Sequence, residues 1–133
     1  MKVTNGEIHD SYRAIKEVME SSEERAIPQT GKYRLAKLHR KLEPLFIGIE
    51  RQRSALVEQF GEPTFLDEEK TMPTGWSINQ QGPNMPVYLE KWAELRSIEV
   101  EIDTTPISLH TLGESDKGLT TMEFGMLGSF IEG

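Results

Sequence analysis

The first apolar pattern along the chain predicts a capped helix. Four apolar residues recur at spacings of four, three and four, and so share one helical face: Ile8, Tyr12, Ile15 and Met19. Just before them, Thr4 and Glu7 have the spacing of a capping box, in which the threonine hydroxyl accepts from the Glu7 amide and the glutamate reaches back. Val3 and Ile8 flank this box as a hydrophobic staple. The pattern predicts a helix over about 5–20.

The second apolar pattern is longer and predicts the main helix. With Gln52 as the only polar member, a heptad-like seam runs through Leu35, Leu38, Leu42, Leu45, Ile49, Leu56 and Phe60. Gly61, as a left-handed residue after the last turn, and Pro63 predict the end of this helix, which therefore covers about 32–60. Pro44 lacks a backbone donor and predicts a kink, with a split into two helices as the alternative.

These two helices, joined by a modest loop, should form an antiparallel pair. Because the second helix is far longer than the first, part of its apolar seam needs another cover. Either the C-terminal half of the chain or a second copy of the protein, in a homo-oligomer, would supply that cover.

The second half of the chain changes to short patterns. Residues 62–84 are rich in proline, glycine, threonine and acids, and they predict an irregular loop that holds one short strand around Trp76, as half of a hairpin. Residues 85–96 predict a short helix with Asn84 as its cap. The next segment, 98–102, alternates apolar and acidic residues, which is typical of a half-buried strand.

The last pattern predicts a C-terminal helix. Thr120 and Glu123 repeat the capping-box spacing, and the helix should cover about 121–131. Together the patterns predict an α+β fold in a single domain over 1–133. A helical hairpin would occupy 1–61, and 62–133 would pack a small antiparallel sheet, a short helix and the C-terminal helix against it.

Composition and charge then exclude several classes of function. No apolar run reaches the roughly 18 residues of a membrane span, so no membrane partner is expected. The formal net charge is −7, whereas a general nucleic-acid binder needs a basic surface, so no direct nucleic-acid partner is expected. The chain has no cysteine, which excludes disulfides and thiolate chemistry.

One segment is basic although the chain as a whole is acidic. Residues 32–41 carry five cations and no acid. A solvated helix face is one interpretation, and a basic docking patch that includes Lys37 and Arg40 is the other.

No catalytic, cofactor-binding or metal-ligating residue is predicted. None of His9, His39 and His110 has a second histidine at i+3 or i+4, the spacing of a helical ligand pair. A row of three carboxylates shares one face of the predicted strand: Glu99, Glu101 and Asp103. A solvated or guarded sheet edge, a recognition surface for a basic partner and a cation site all remain open for this row.

Three aromatic residues are candidate interface anchors: Trp76, Tyr88 and Trp92. Core packing is the alternative for each, and the helical stripe of Trp92 favours it there. For Trp76, within a segment rich in glycine and proline, the two interpretations weigh equally. The predicted partner-binding set is therefore Trp76, Glu99, Glu101, Asp103, Lys37 and Arg40.

Several motifs resemble an uncharacterised family of small proteins encoded by tailed bacteriophages and prophages. They are the TNGEI start, the block that runs from YRLAK through IERQR to FGE, the EVEI segment and the terminal FIEG. The residues that fit the family outline in the central block are Tyr33, Leu35, Ala36, Lys37, Ile49, Glu50, Arg53, Gly61 and Glu62, whereas Pro44 departs from it. The resemblance implies a phage origin and offers no catalytic residue to transfer.

Three functions compete at this point. We expect a non-catalytic protein that binds a host or phage protein in the host bacterial cytoplasm and modulates it, with host transcription or other nucleic-acid machinery as a target class. The first alternative is a minor virion or tail-assembly protein whose long seam is buried in an oligomer. The second is a metal-dependent nuclease that uses Glu99, Glu101 and Asp103.

Overall fold

The computed structural model describes residues 1–65, 73–113 and 118–132, and these ranges form an α+β fold, as predicted. Four α-helices lie within them: α1 (Asn5–Glu20), α2 (Gln29–Phe60), α3 (Asn84–Arg96) and α4 (Thr121–Leu127). Short strands pair two by two: β1 (Lys2–Thr4) with β4 (Glu99–Glu101), β2 (Glu62–Phe65) with β3 (Pro73–Ser77), and β5 (Ile107–Ser108) with β6 (Ile131–Glu132). The first two pairs are antiparallel and the third is parallel.

Single-turn 3₁₀ helices at Ser22–Glu24, Leu109–Leu112 and Gly128–Phe130 complete the described elements. None of the four α-helices has the length and apolar content to cross a bilayer. The middle of the predicted loop, 66–72, lies outside the described residues.

Both predicted capping boxes have their threonine cap, although only the second box is complete. At α1, the Thr4 hydroxyl accepts from the Glu7 amide at 3.1 Å, but the Glu7 carboxylate meets that same hydroxyl at 3.4 Å. At α4, Thr120 accepts from the Glu123 amide at 3.2 Å, and the Glu123 carboxylate accepts from the Thr120 amide at 2.8 Å. The reciprocal bonds satisfy two backbone donors that a helix start would otherwise leave free.

α1 and α2 form the predicted antiparallel pair, since the partners of α1 run backwards along α2. His9 contacts Glu50, whereas Tyr12 stacks on His39. α2 runs without interruption through Pro44, so the alternative that this proline splits the helix is wrong. The kink near Pro44 stays a prediction.

The apolar seam of α2 is fully buried over only part of its length. Its buried members are Leu35, Leu38, Leu42 and Ile49, whereas Leu45, Leu56 and Phe60 are half-buried. The cover comes from α1 and, in the C-terminal half of the chain, from β5 and the Leu109–Leu112 turn, whereas α4 packs mainly on α1. α3 packs along the later part of α2.

Two predicted caps are wrong, and long-range contacts explain both. Gly61 is extended, with φ −106° and ψ −174°, rather than left-handed. A Cβ on Gly61 would lie 2.5 Å from the Val57 carbonyl oxygen and 2.6 Å from the Ser77 carbonyl oxygen, so glycine permits the approach of β3. Asn84 does not cap α3: its side-chain amide donates to the Phe60 carbonyl at 3.1 Å.

The final helix is shorter than predicted. α4 ends at Leu127, where Gly128 takes a positive φ of 33°, and the chain then continues through a 3₁₀ turn into β6. A buried ion pair fixes the start of α4, because Arg25 donates to both carboxylate oxygens of Glu123. Burial alone would raise the pKa of Glu123, but the bonds from Arg25 and Thr120 hold it below the ordinary value.

A close approach of backbones at Gly31 generates the first prediction. A Cβ there would lie 1.8 Å from the Thr111 carbonyl oxygen, so Gly31→Ala forces α2 away from the Leu109–Leu112 turn. We expect a loss of about 1–3 kcal/mol in the free energy of unfolding, measured by urea denaturation.

Gly48→Ala is the matched control, because nothing lies within 4 Å of its added Cβ in the middle of the same helix. It should gain about 0.5–1 kcal/mol from helix propensity. Equal effects of the two substitutions would contradict the close-contact explanation.

Candidate functional site

Five aromatic rings from three helices stack in one row, which we call the ring ladder: His39, Tyr12, Phe46, His9 and Trp92. Successive ring centroids are 4.6, 4.2, 5.1 and 5.3 Å apart. The first three contacts are stacked, and Trp92 meets His9 edge-on at 81°. Residues three apart on α1 and seven apart on α2 return to the same helical face, so the rings of the two helices interleave.

His9 is the fourth ring of this ladder and is also the polar centre of the helical interface. Its side chain is only 7% exposed. Nε2 lies 2.6 Å from Glu50 Oε1, and because a carboxylate only accepts, Nε2 carries the proton. Nδ1 is buried without a hydrogen-bond partner and lies 3.8 Å from Asp10 Oδ1. Both ring nitrogens therefore face carboxylates.

Each of these carboxylates is held by an arginine. Arg96 donates to the two oxygens of Asp10 at 2.9 and 3.2 Å, and it also lies over the Trp92 ring, 5.7 Å from the centroid. Arg53 donates to Glu50 at 2.8 Å. The result is a row across α1, α2 and α3 in which two arginine–carboxylate pairs flank one histidine, and we call it the charge chain: Arg96, Asp10, His9, Glu50 and Arg53.

The arginines keep both acids ionised. The hydrogen bonds from Arg53 are the main reason that the pKa of Glu50 lies below its ordinary value; burial opposes the shift and the bond from His9 adds to it. Burial would raise the pKa of Asp10, but the hydrogen bonds and the charge of Arg96 outweigh burial and lower it. At neutral pH the charge chain thus presents two carboxylates to one histidine.

An open groove of about 740 Å³ runs over the ring ladder between α1, α2 and α3. Its floor is aromatic and consists of His9, Tyr12, Phe46, Tyr88 and Trp92. Its rim is charged and consists of Arg13, Lys16, Glu17, Glu20, Glu50 and Arg53. We call this feature the ring-floored groove. Its floor side chains are buried or half-buried, whereas the α1 part of its rim is exposed.

All six predicted partner-binding residues lie outside this groove. Trp76, 44% exposed, lies on β3 in the hairpin that follows α2. Lys37 and Asp103 line a second cleft, of about 460 Å³, between α2 and residues 103–107. Arg40 is exposed on the same part of α2.

The acidic row of β4 is exposed and already paired. Glu99 lies 3.4 Å from Lys2 Nζ, and Glu101 lies 2.9 Å from the amino group of Met1. Throughout 1–65, 73–113 and 118–132, no three histidine or acidic side chains gather as metal ligands would. Glu99, Glu101 and Asp103 fall within those ranges, so the structure gives no support to their interpretation as a cation site.

The ring-floored groove was missed by sequence reasoning, apart from the candidates Tyr88 and Trp92. Those two residues are half-buried, at the boundary between core and surface. The available signals were pairs of residues three apart: His9 with Tyr12 on α1, and the opposite charges of Glu50 and Arg53 on α2. Neither signal reveals which helices would meet.

Comparison of the chain with models of protein families, with curated proteins and with solved structures gives no match. The resemblance to phage proteins stays a prediction from its motifs. The function therefore has to be argued from the groove and its surroundings.

The charge chain predicts a specific pH dependence. The pKa of Glu50 is lowered on folding, so its contribution to stability is complete above the unfolded value of 4.5 and is lost as pH falls through the folded value. Glu50→Gln should reduce the free energy of unfolding by about 1–2 kcal/mol at pH 7. That difference from the wild type should shrink as pH falls below 4.5.

Urea denaturation between neutral pH and acid measures this difference. Glu58→Gln, an exposed carboxylate on the same helix, is the control and should show little change at any pH. A Glu50→Gln deficit that stays constant down to acid pH would contradict the role given to the ionised carboxylate.

Proposed function

We propose that the protein is a non-catalytic binding protein that recognises a segment of a protein partner in the ring-floored groove. The partner is a host or phage protein whose activity the binding modulates, and host transcription or other nucleic-acid machinery is the target class. The observation that carries the proposal is the aromatic floor of the groove beneath a rim of both charge signs.

The floor supports recognition by burial of aromatic surface. Tyr12, Tyr88 and Trp92 are half-buried, so each retains accessible ring surface for a ligand. Tyr and Trp are enriched among the residues that dominate the binding energy of protein interfaces. The ring ladder already fixes Tyr12 and Trp92 in place, so little side-chain freedom is lost on binding.

The rim supports a polypeptide rather than a polyanion. Arg13 and Lys16 stand on the same helix as Glu17 and Glu20, and all four are exposed. A polypeptide can offer side chains of both signs to such a rim. A nucleic-acid backbone would meet repulsion at the two glutamates. From His9 to Glu20 the α1 side of the groove spans roughly 16 Å at 1.5 Å per residue, long enough for several residues of a partner.

The geometry supports binding better than catalysis. A catalytic histidine needs a nitrogen directed at the substrate, whereas His9 Nε2 is bonded to Glu50 and Nδ1 is buried beside Asp10. No serine, threonine or cysteine stands among the described residues that line the groove. The charged groups of the charge chain are engaged with one another, as in a structural network.

A minor virion or tail-assembly protein is the second candidate function. The end of α2 supports it, because Leu56, Val57 and Phe60 remain half-buried and Ile47 is 42% exposed. A homo-oligomer through α2 would cover this apolar surface. The first candidate acts in the host bacterial cytoplasm and the second in the particle, so mass spectrometry of purified virions separates them: many copies per particle favour assembly.

The groove proposal predicts the behaviour of charge-reversal variants. Immobilised protein should retain a stoichiometric, salt-sensitive partner from host lysate. Arg13→Glu with Lys16→Glu should reduce that retention about tenfold or more, because the two substitutions reverse the charge of two cations in the groove rim.

Arg51→Glu with Lys91→Glu provides the matched control, since both residues are exposed cations outside the groove. This control changes the net charge by the same amount as the rim variant, and it should retain as much partner as the wild type. Equal retention by the rim variant and the wild type would remove the groove from the binding surface.

A further inference from the structure

The N-terminal half of α2 carries a second surface, a row of cations without carboxylate partners. Arg34, Lys37, Arg40 and Lys41 are all exposed. Every lysine or arginine that forms an ion pair in the described part of the chain is a different residue. Lys41 Nζ instead donates to the backbone carbonyl of Asp103. We call these four residues the basic row.

The basic row forms one wall of a cleft. Arg34, Lys37 and Lys41 are spaced three and four apart, which puts them on one strip of the helix. They line the 460 Å³ cleft opposite residues 103–107, which contribute Thr104 and Thr105. Tyr33, 62% exposed, stands at the edge of the same cleft.

This placement does not serve the stability of the helix. Like charges three and four residues apart repel each other. The chain has 22 acidic residues against 15 cations, yet none of those acids pairs with the row in the described ranges. Side chains whose placement is unfavourable for folding, and is not offset by other contacts, are expected at functional sites.

Acidic residues bound the row and limit the length of its ligand. Glu23 and Glu24 are exposed just before α2, Glu43 is exposed just after the row, and Asp103 faces it across the cleft. From Arg34 to Lys41 the row is roughly 10 Å long at 1.5 Å per residue. A long polyanion would extend past it onto these acids, whereas two or three carboxylates in a short segment would not.

We propose that the basic row docks a short acidic segment of a protein partner. This inference rests on the proposed function only in that the partner is taken to be a protein. Arg34 receives one carboxylate through its two-pronged guanidinium. Lys37 and Lys41 neutralise the neighbouring carboxylates as point charges. Tyr33 offers ring surface to an apolar side chain beside the acids.

Fluorescence anisotropy tests the proposal with two labelled probes at low ionic strength. One is a peptide of about ten residues with a central acidic cluster, and the other is an oligothymidylate of about twenty nucleotides. The full chain should bind the peptide more tightly than the oligothymidylate. Arg34→Gln with Lys37→Gln and Lys41→Gln should weaken peptide binding about tenfold or more.

The control carries the same change in charge outside the cleft, as Lys2→Gln with Arg51→Gln and Lys91→Gln. All three residues are exposed, and the control should bind the peptide within about twofold of the wild type. Tighter binding of the oligothymidylate would overturn the proposal in favour of a nucleic-acid surface. Equal losses in the two triple variants, or no peptide binding by the wild type, would overturn it as well.

Thermal unfolding separates a docking role from a structural one. Lys41 is left in place for this measurement because it donates to the Asp103 carbonyl. Removal of the other two cleft cations relieves like-charge repulsion, so Arg34→Gln with Lys37→Gln should unfold at the same or a higher temperature than the wild type. A lower unfolding temperature together with lost binding would overturn the proposal. The groove is tested by retention of a partner from lysate, whereas the basic row is tested by binding of a purified peptide. Either proposal can therefore fail while the other holds.

Discussion

The helical part of the molecule depends on the burial of one imidazole. His9 brings two carboxylates from different helices to its two nitrogens, and each carboxylate is also bonded to an arginine that lowers its pKa. The loss of either arginine, or of either acid, leaves its partner without a counter-charge. The network therefore favours one relative arrangement of α1, α2 and α3, with Nδ1 of His9 as its one buried atom that has no hydrogen-bond partner.

The same imidazole is a rung of the ring ladder, so the polar network and the aromatic row reinforce each other. Stacking fixes the plane of His9, and the bond to Glu50 fixes its rotation within that plane. The groove above these side chains is consequently preformed rather than induced. In the proposed function, such a floor would favour partners by the fit of their shape, while the exposed rim would select among them by charge.

The sequence predicted what local contacts decide. α1 and α2 end close to the predicted bounds because caps, apolar spacing and turn residues are all near neighbours. Val3 and Ile8, the predicted staple at the first cap, are both buried in the core. Gly61 and Asn84 were misinterpreted because their partners, Ser77 and Phe60, are distant in sequence. Nothing near Arg96 along the chain indicates that it would meet a side chain of α1.

The candidate site shows the same limit. The sequence named Lys37 and Asp103 for unrelated reasons, and the structure places them in one cleft. It named Trp76 as an anchor, and the structure puts that residue in a separate hairpin. It treated His9 as an ordinary histidine, because the acids around it come from its own neighbour and from a residue 41 positions away.

The contact at Gly31 has a consequence for the cleft beside the basic row. At that point two backbones touch without any intervening side chain, and the wall of residues 103–107 leads directly into the segment that touches α2. Rotamer changes cannot adjust such a spacing, so the cleft has a set width. Ligands should enter it without a preceding rearrangement, and their rates of association should follow diffusion and ionic strength rather than the opening of a gate.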